Sequence, residues 1–199
     1  MSAFEVPQWI INEHPFDPQP HRYVLPKMLR RHLGNVCFGV EIGVAYGSTT
    51  IALLEEFPSL YLYAIDPYVP YDPKDTMSMS TERMDEMYEF AKNRFEGKHI
   101  KLVRKTSAEA SKFITDDSLD FAFIDAVHRY EAVREDIGIW YPKIRPGGFL
   151  TGHDYCEYWP GIQKAVNERA AELGRELLVW DHFDGKPARR AIIWAMQKP

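Results

Sequence analysis

The stretch Val36-Cys37-Phe38-Gly39-Val40-Glu41-Ile42-Gly43-Val44-Ala45-Tyr46-Gly47-Ser48-Thr49-Thr50, continued by Leu60-Tyr61-Leu62-Tyr63-Ala64-Ile65-Asp66, decides the fold. Val36 to Ile42 is a short apolar run, the pattern of a strand buried on both faces. Gly43 and Gly47 bracket a tight turn. Ser48 and Thr49 open a helix that runs through Glu56 and that Pro58 ends. Leu60 to Ile65 is a second buried strand, and Asp66 stands at its C-terminal end. The unit is βαβ, and its ligand crevice lies at the carboxyl ends of its strands.

Asp66 lies 23 positions after Gly43, the separation at which a dinucleotide-binding unit places the carboxylate that accepts both ribose hydroxyls. The turn itself departs from the phosphate-binding pattern. It reads Glu41-x-Gly43-x-x-x-Gly47 rather than G-x-G-x-x-G, and no Lys or Arg lies between Glu41 and Thr50. Glu41 puts negative charge where a pyrophosphate would sit, so a cationic ligand suits the turn better. S-adenosylmethionine has a sulfonium, an amino group and a ribose, and no phosphate. The E-x-G-x-x-x-G turn followed by a strand-end Asp resembles the first two motifs of the class I S-adenosylmethionine-dependent methyltransferases.

Outward from this unit, His21 to Leu33 has apolar residues at helical spacing and stops at Gly34. Residues 1–20, rich in Pro and aromatics, form an arm over the crevice, a contact with a second subunit, or a plain irregular extension. After Asp66 a Pro- and Ser-rich loop leads to a helix over Thr81–Phe95, so that 67–97 reads as a lid loop with a helical insertion. Tyr68, Tyr71, Met77 and Met79 are candidates to line a pocket. The Met and aromatic stripe of the helix (Met84, Met87, Tyr88) reads as core.

Ile100–Arg104 is a third strand, and Thr106-Ser107-Ala108-Glu109-Ala110 turns into a helix with Ser107 as a plausible cap. Leu119–Asp125 is a fourth strand, followed by a helix over Tyr130–Trp140. A fifth strand ends at His153-Asp154, and Pro160 opens a helix that Gly174 ends. Glu176–Phe183 and Ala188–Met196 are β-rich runs joined through Asp184-Gly-Lys-Pro, a hairpin. These elements predict a single α/β domain over 1–199. Its sheet is doubly wound, Rossmann-like, mostly parallel and seven-stranded, with a C-terminal antiparallel hairpin.

Glu41, Asp66, Asp125 and the pair His153-Asp154 all fall at strand C-terminal ends, the edge where an open α/β sheet binds ligands. Carboxylates gathered there need cations. Glu41 and Asp66 can face a cationic cofactor, and a hard divalent metal such as magnesium suits Asp125 and Asp154. The run Phe-Ile-Asp125-x-x-His128-x-Tyr130-Glu, then Pro146-Gly-Gly, then Gly152-His-Asp-Tyr155, resembles the macrocin O-methyltransferase-like subgroup and related small-molecule O-methyltransferases (methyltransferase family 24 type) over about residues 36–166.

By position, the resemblance implies cofactor contacts from Glu41, Gly43, Tyr46, Gly47 and Ser48 in the turn. Asp66 and Pro67 follow after the second strand, Ser107 and Ala108 after the third, and Asp125 after the fourth. It implies His128 as general base, Asp125 as its catalytic neighbour, and Asp125, Asp154 and His153 at the position of a metal. His153 stands where metal-dependent relatives have an acid. Imidazole is a poor magnesium ligand, so His153 points away, or the metal is absent.

The reaction implied is O-methylation of a small-molecule hydroxyl, sugar or phenol in type, with Tyr155 and Trp159 hinting at an apolar or ring-shaped acceptor. The alternatives are an NAD(P)-dependent oxidoreductase and a non-catalytic cofactor-binding protein of the same fold. A net charge of −5 argues against nucleic acid as a partner. No apolar run approaches the roughly 20 residues needed to span a bilayer. With Glu5, Pro7 and Asn12 the N-terminus lacks the features of a signal peptide. Two cysteines, Cys37 in a buried strand and Cys156 in a loop, read as free thiols of a cytoplasmic protein. A homo-oligomer is left open.

Overall fold

The computed structural model describes residues 20–71, 79–180, 182–183, 186–187 and 192–199. A 3-10 turn (Pro20–Tyr23) leads into α1 (Val24–Leu33), β1 (Phe38–Ile42), α2 (Ser48–Glu56), β2 (Tyr61–Ile65) and α3 (Thr81–Arg94). The chain continues with β3 (Ile100–Val103), α4 (Ser107–Ser111), β4 (Leu119–Ile124), α5 (Tyr130–Trp140), β5 (Ile144–Gly152) and α6 (Pro160–Leu173). It closes with β6 (Leu178–Trp180), β7 (His182–Phe183), β8 (Lys186–Pro187) and β9 (Ile193–Gln197).

Seven strands form one sheet in the order β3-β2-β1-β4-β5-β9-β6, and β7 pairs with β8 in a separate two-stranded ladder. β1 to β5 are parallel, whereas β9 runs antiparallel to both β5 and β6. The chain reverses winding direction between β1 and β4. There the first half of the sheet grows outward to β3 and the second toward β6, which opens a crevice above their carboxyl ends. The doubly wound, Rossmann-like expectation therefore holds. The C-terminal hairpin is more elaborate than expected. β6 and β9 are its sheet arms, and β7 with β8 forms the inner ladder; residues 181, 184–185 and 188–191 lie outside the described residues.

All six residues of β4 are buried, as a central parallel strand requires. One face of the sheet packs Val40, Ile42, Ala122, Ile124 and Leu150 against Val133, Ile137 and Trp140 of α5 and Ile162 and Val166 of α6. The other packs Leu62, Phe121, Phe123 and Phe149 against Leu25, Leu29 and Leu53 of α1 and α2. α3 covers the turn after β1 with Met84, Met87, Phe90 and Phe95. Its start is fixed by Ser80, whose hydroxyl accepts from Arg83 N at 3.3 Å.

Two local expectations are corrected. Cys37 is exposed, because the first strand begins only at Phe38, at the rim of the sheet opposite the crevice. Cys37 N and Phe38 N are instead held by Asp120 Oδ2 at 2.5 and 2.9 Å. Ser107 is not the cap of α4. Thr106 is, in a reciprocal capping box with Glu109.

Candidate active site

The parallel register sets Ile42 beside Ile65 on one side and Ile124 on the other, and Ile124 beside Gly152. The next residue of each strand therefore lies on one rim: Gly43, Asp66, Asp125 and His153. Backbone bonds carry the ladder past the strand ends and hold that rim. Gly43 N donates to Ile65 O at 2.9 Å, Asp125 N to Ile42 O at 2.8 Å and His153 N to Ile124 O at 3.0 Å.

Between β1 and α2 the chain turns through three left-handed residues, Gly43 (φ 87°), Ala45 (47°) and Gly47 (76°). A Cβ on Gly43 would stand 2.1 Å from the carbonyl oxygen of Asp125, so only glycine fits there. Asp66 staples the turn. Its Oδ2 accepts from Val44 N at 3.0 Å and Ala45 N at 3.1 Å, and its Oδ1 from Tyr68 N at 2.8 Å. The amides that a phosphate-binding turn would offer to a ligand are thus already occupied by a carboxylate. Three of about four acceptor positions on Asp66 are used, which leaves room for one further hydroxyl rather than a bidentate ribose contact.

Glu41 lies beneath the turn, buried, and accepts from Thr50 Oγ1. Burial pushes its carboxyl up to about 8; the Thr50 bond and Arg22 oppose the shift, while Asp125 and Asp66 add to it. Asp125 meets a partner that the sequence pattern did not flag. Arg22, from the 3-10 turn, places Nη1 3.1 Å from Asp125 Oδ2 and 3.2 Å from Thr49 Oγ1.

Asp154, itself left-handed at φ 57°, lies between two imidazoles. His128 Nε2 is 3.1 Å from its Oδ2, and His153 Nδ1 is 3.2 Å from its Oδ1 and 3.7 Å from Asp125 Oδ1. Burial alone would raise the Asp154 carboxyl, but the bonds from His128 and His153 hold it well below the usual carboxylate range. A carboxylate only accepts, so this contact puts the proton of a neutral His128 ring on Nε2 and makes Nδ1 its basic nitrogen. Trp159 packs against the same ring, centroids 4.4 Å apart.

These groups surround a cavity of about 310 Å³. Tyr46, Tyr71, Met79, Met84 and Met87 form its apolar wall; Arg22, Asp66, Asp125, His128, His153 and Asp154 form its polar one. Of the residues singled out from sequence, Gly43, Tyr46, Asp66, Asp125, His128, His153 and Asp154 meet there. Glu41, Gly47, Ser48, Pro67, Ser107 and Ala108 do not line it. Glu41 is covered by the turn. Ser107 faces α5, where its hydroxyl donates to Asp136 and accepts from Trp140 Nε1 at 2.8 Å.

Tyr68 is turned under the loop by its left-handed backbone, and its hydroxyl donates to Ala45 O at 2.9 Å. Tyr155 likewise points to α6, with its hydroxyl 2.9 Å from Asn167 Oδ1. Met77 lies outside the described residues. Met84 and Met87, read as core, are both core and cavity wall.

A divalent cation, which the family resemblance of the sequence implies, fits the donors present. Asp125, His128 and Asp154 each offer an atom, all within 4.8 Å of one another. Two carboxylates with one imidazole suit manganese, iron or zinc better than magnesium. His153 is not in that group; its Nδ1 serves the carboxylates instead.

A mostly parallel sheet of this strand order, with an acidic cleft at its switch point, has the architecture of the class I methyltransferases. A family model described as a methyltransferase domain, methyltransferase family 24, matches residues 40–155. The chain belongs to that family.

Among solved structures, an O-methyltransferase from Bacillus cereus in complex with SAH is similar at a TM-score of 0.68 and 16% identity, over 96% of this chain and 86% of that one. An SAH-bound methyltransferase from Podospora anserina is similar at 0.64 and 13% identity, over 96% and 85%. At such identities the likeness is one of fold.

An uncharacterized protein of Acanthamoeba polyphaga mimivirus is 26% identical over 140 residues, 67% of this chain and 59% of its own length. One of Sinorhizobium fredii is 39% identical over 54 residues, 27% of this chain and 6% of its own. The chain thus spans less than two thirds of these relatives. Among the described residues no helix is long and apolar enough to cross a membrane.

Proposed function

We propose that the protein transfers the methyl group of S-adenosylmethionine to a hydroxyl oxygen of a small molecule. The observation that carries this reading is the Asp66 staple. With Val44 N and Ala45 N engaged by a carboxylate, the turn is closed to a pyrophosphate and open to a cation. Asp125 and Asp154 add negative charge to the same cavity. The structural neighbours with bound SAH support the same cofactor, and the Bacillus cereus O-methyltransferase supports oxygen as the acceptor atom. A cavity of this size, mostly apolar with one ionic side, suits a small acceptor with an apolar body.

In the proposed reaction the acceptor oxygen attacks the S-methyl carbon in line. The new C–O bond forms as the C–S bond breaks, and its electron pair neutralises the sulfonium. The hydroxyl proton passes to Nδ1 of His128. Asp154, bonded to Nε2, fixes the tautomer and steadies the imidazolium that results. Trp159 packs against the ring and steadies its orientation. A divalent cation, when bound, supplies a lower hydroxyl pKa. Asp125 and Asp154 are the residues that would hold it in this reading, because a ring coordinated through Nε2 carries its proton on Nδ1 and cannot act as the base.

The test is His128→Ala, assayed for methyl transfer to a panel of phenols and sugars while cofactor affinity is measured by calorimetry. Turnover falls about 10²–10⁴-fold with S-adenosylmethionine affinity nearly unchanged. Equal loss of both would make His128 structural.

A further inference from the structure

We propose that Arg22 is the built-in counter-cation of the acidic cluster, and that a divalent ion gains Asp125 only by displacing it. The inference deepens the reading in which Asp125 and Asp154 take such an ion.

Three of the four carboxylate oxygens of Asp125 and Asp154 have a nitrogen within 3.2 Å, and the fourth, Asp125 Oδ1, has one at 3.7 Å. Three of these four contacts come from imidazoles, which follow the site on the same rim or its following loop. The remaining one is Arg22, a permanent cation from a segment 103 positions away in sequence. Arg22 is among the residues that line the cavity.

The backbone that carries Arg22 is anchored independently of Asp125. Tyr23 donates its hydroxyl to Glu55 Oε2 at 2.5 Å, and Arg30 of α1 pairs with Glu56 at 2.7 Å and lies over the Phe57 ring. These contacts hold the 3-10 turn and α1 on α2. The side chain is what can leave, and its second acceptor, Thr49 Oγ1, helps to hold it against Asp125 until it does.

A dication on Asp125 and a guanidinium on the same carboxylate are like charges in contact, so each disfavours the other. Arg22 also works against the upward shift of the buried Glu41 carboxyl. The arrangement keeps the carboxylates compensated while no ion is present. It also makes metal affinity depend on the segment that precedes the sheet.

The test uses the full chain and Mn²⁺ alone, titrated by calorimetry and by electron paramagnetic resonance, with no acceptor present. Arg22→Met keeps the aliphatic stem and removes the charge. It is expected to bind Mn²⁺ about five- to ten-fold tighter than the wild type, the scale of a partly exposed ion pair. Thr49→Val, which removes only the second acceptor, tightens binding by a smaller factor. Adding Asp125→Asn to both the wild type and Arg22→Met abolishes the difference between them.

Unchanged or weaker Mn²⁺ binding by an Arg22→Met protein that melts like the wild type overturns the inference. So does the absence of Mn²⁺ binding in both. If Arg22→Met fails to fold, Thr49→Val decides: no tightening there overturns the inference equally. S-adenosylmethionine is titrated into the same samples. Retained cofactor binding with no Mn²⁺ effect sinks this inference and leaves the methyl-transfer reading standing.

Discussion

Glu41, beneath the turn, and Asp154, on the cavity wall, show how neighbouring surroundings set two carboxyls to opposite extremes. Glu41 is buried with a single hydroxyl donor and is pushed up to about 8. Asp154 is buried too, but two imidazoles outweigh the burial and hold it down. The stability consequences have opposite signs. Above its ordinary value of 4.5 an unfolded Glu41 has lost its proton, while the folded one keeps it up to about 8. Its stabilising contribution is therefore complete at low pH and is lost as pH rises through that window. Asp136, raised to about 6 by burial, behaves likewise over a narrower range. Asp154 does the reverse: its contribution is present above its ordinary value of 3.8 and disappears as pH falls toward its folded value. Glu41→Gln should flatten the loss of stability between about pH 5 and pH 8 seen in urea unfolding. An unchanged slope would place the Glu41 proton elsewhere.

The turn between β1 and α2 is the element on which the site depends. It brings the carbonyl of Asp125 against Gly43 and presents two amides to Asp66. Gly43→Ala combines a left-handed backbone with a collision against main chain that cannot rotate away. It should cost at least about 2 kcal/mol in denaturant unfolding and remove cofactor binding; a loss under about 0.5 kcal/mol would mean that the turn is free to relax.

Much of this element was legible beforehand. Apolar runs bounded by glycines located β1, α2 and β2, because a buried parallel strand and a tight turn each demand particular residues. The capping box Thr106-x-x-Glu109 was also written in the chain, although Ser107 drew attention as the cap. What could not be read was how many acceptor positions of Asp66 its own loop would consume. That depends on the left-handed Ala45 and Tyr68, residues with no sequence signal for positive φ.

At the scale of the molecule, the strand order converts separate motifs into one cavity. Gly43, Asp66, Asp125 and His153 are far apart in sequence and adjacent because the ladders align Ile42, Ile65 and Ile124. Periodicity located the strand ends, and the alternation of strands with helices, which implies parallel strands, placed them on one edge. Arg22 escaped that reasoning, since its segment lies before the first strand and obeys no such rule.

The central claim is that this acidic rim holds a sulfonium cofactor rather than a dinucleotide. Thermal unfolding with each ligand at a hundred times the expected dissociation constant tests it most directly, because a ligand of the native state stabilises by about 2.7 kcal/mol under those conditions. S-adenosylmethionine should raise the melting temperature by about 5–10 °C and NAD leave it unmoved. A rise with NAD and none with S-adenosylmethionine would contradict the account.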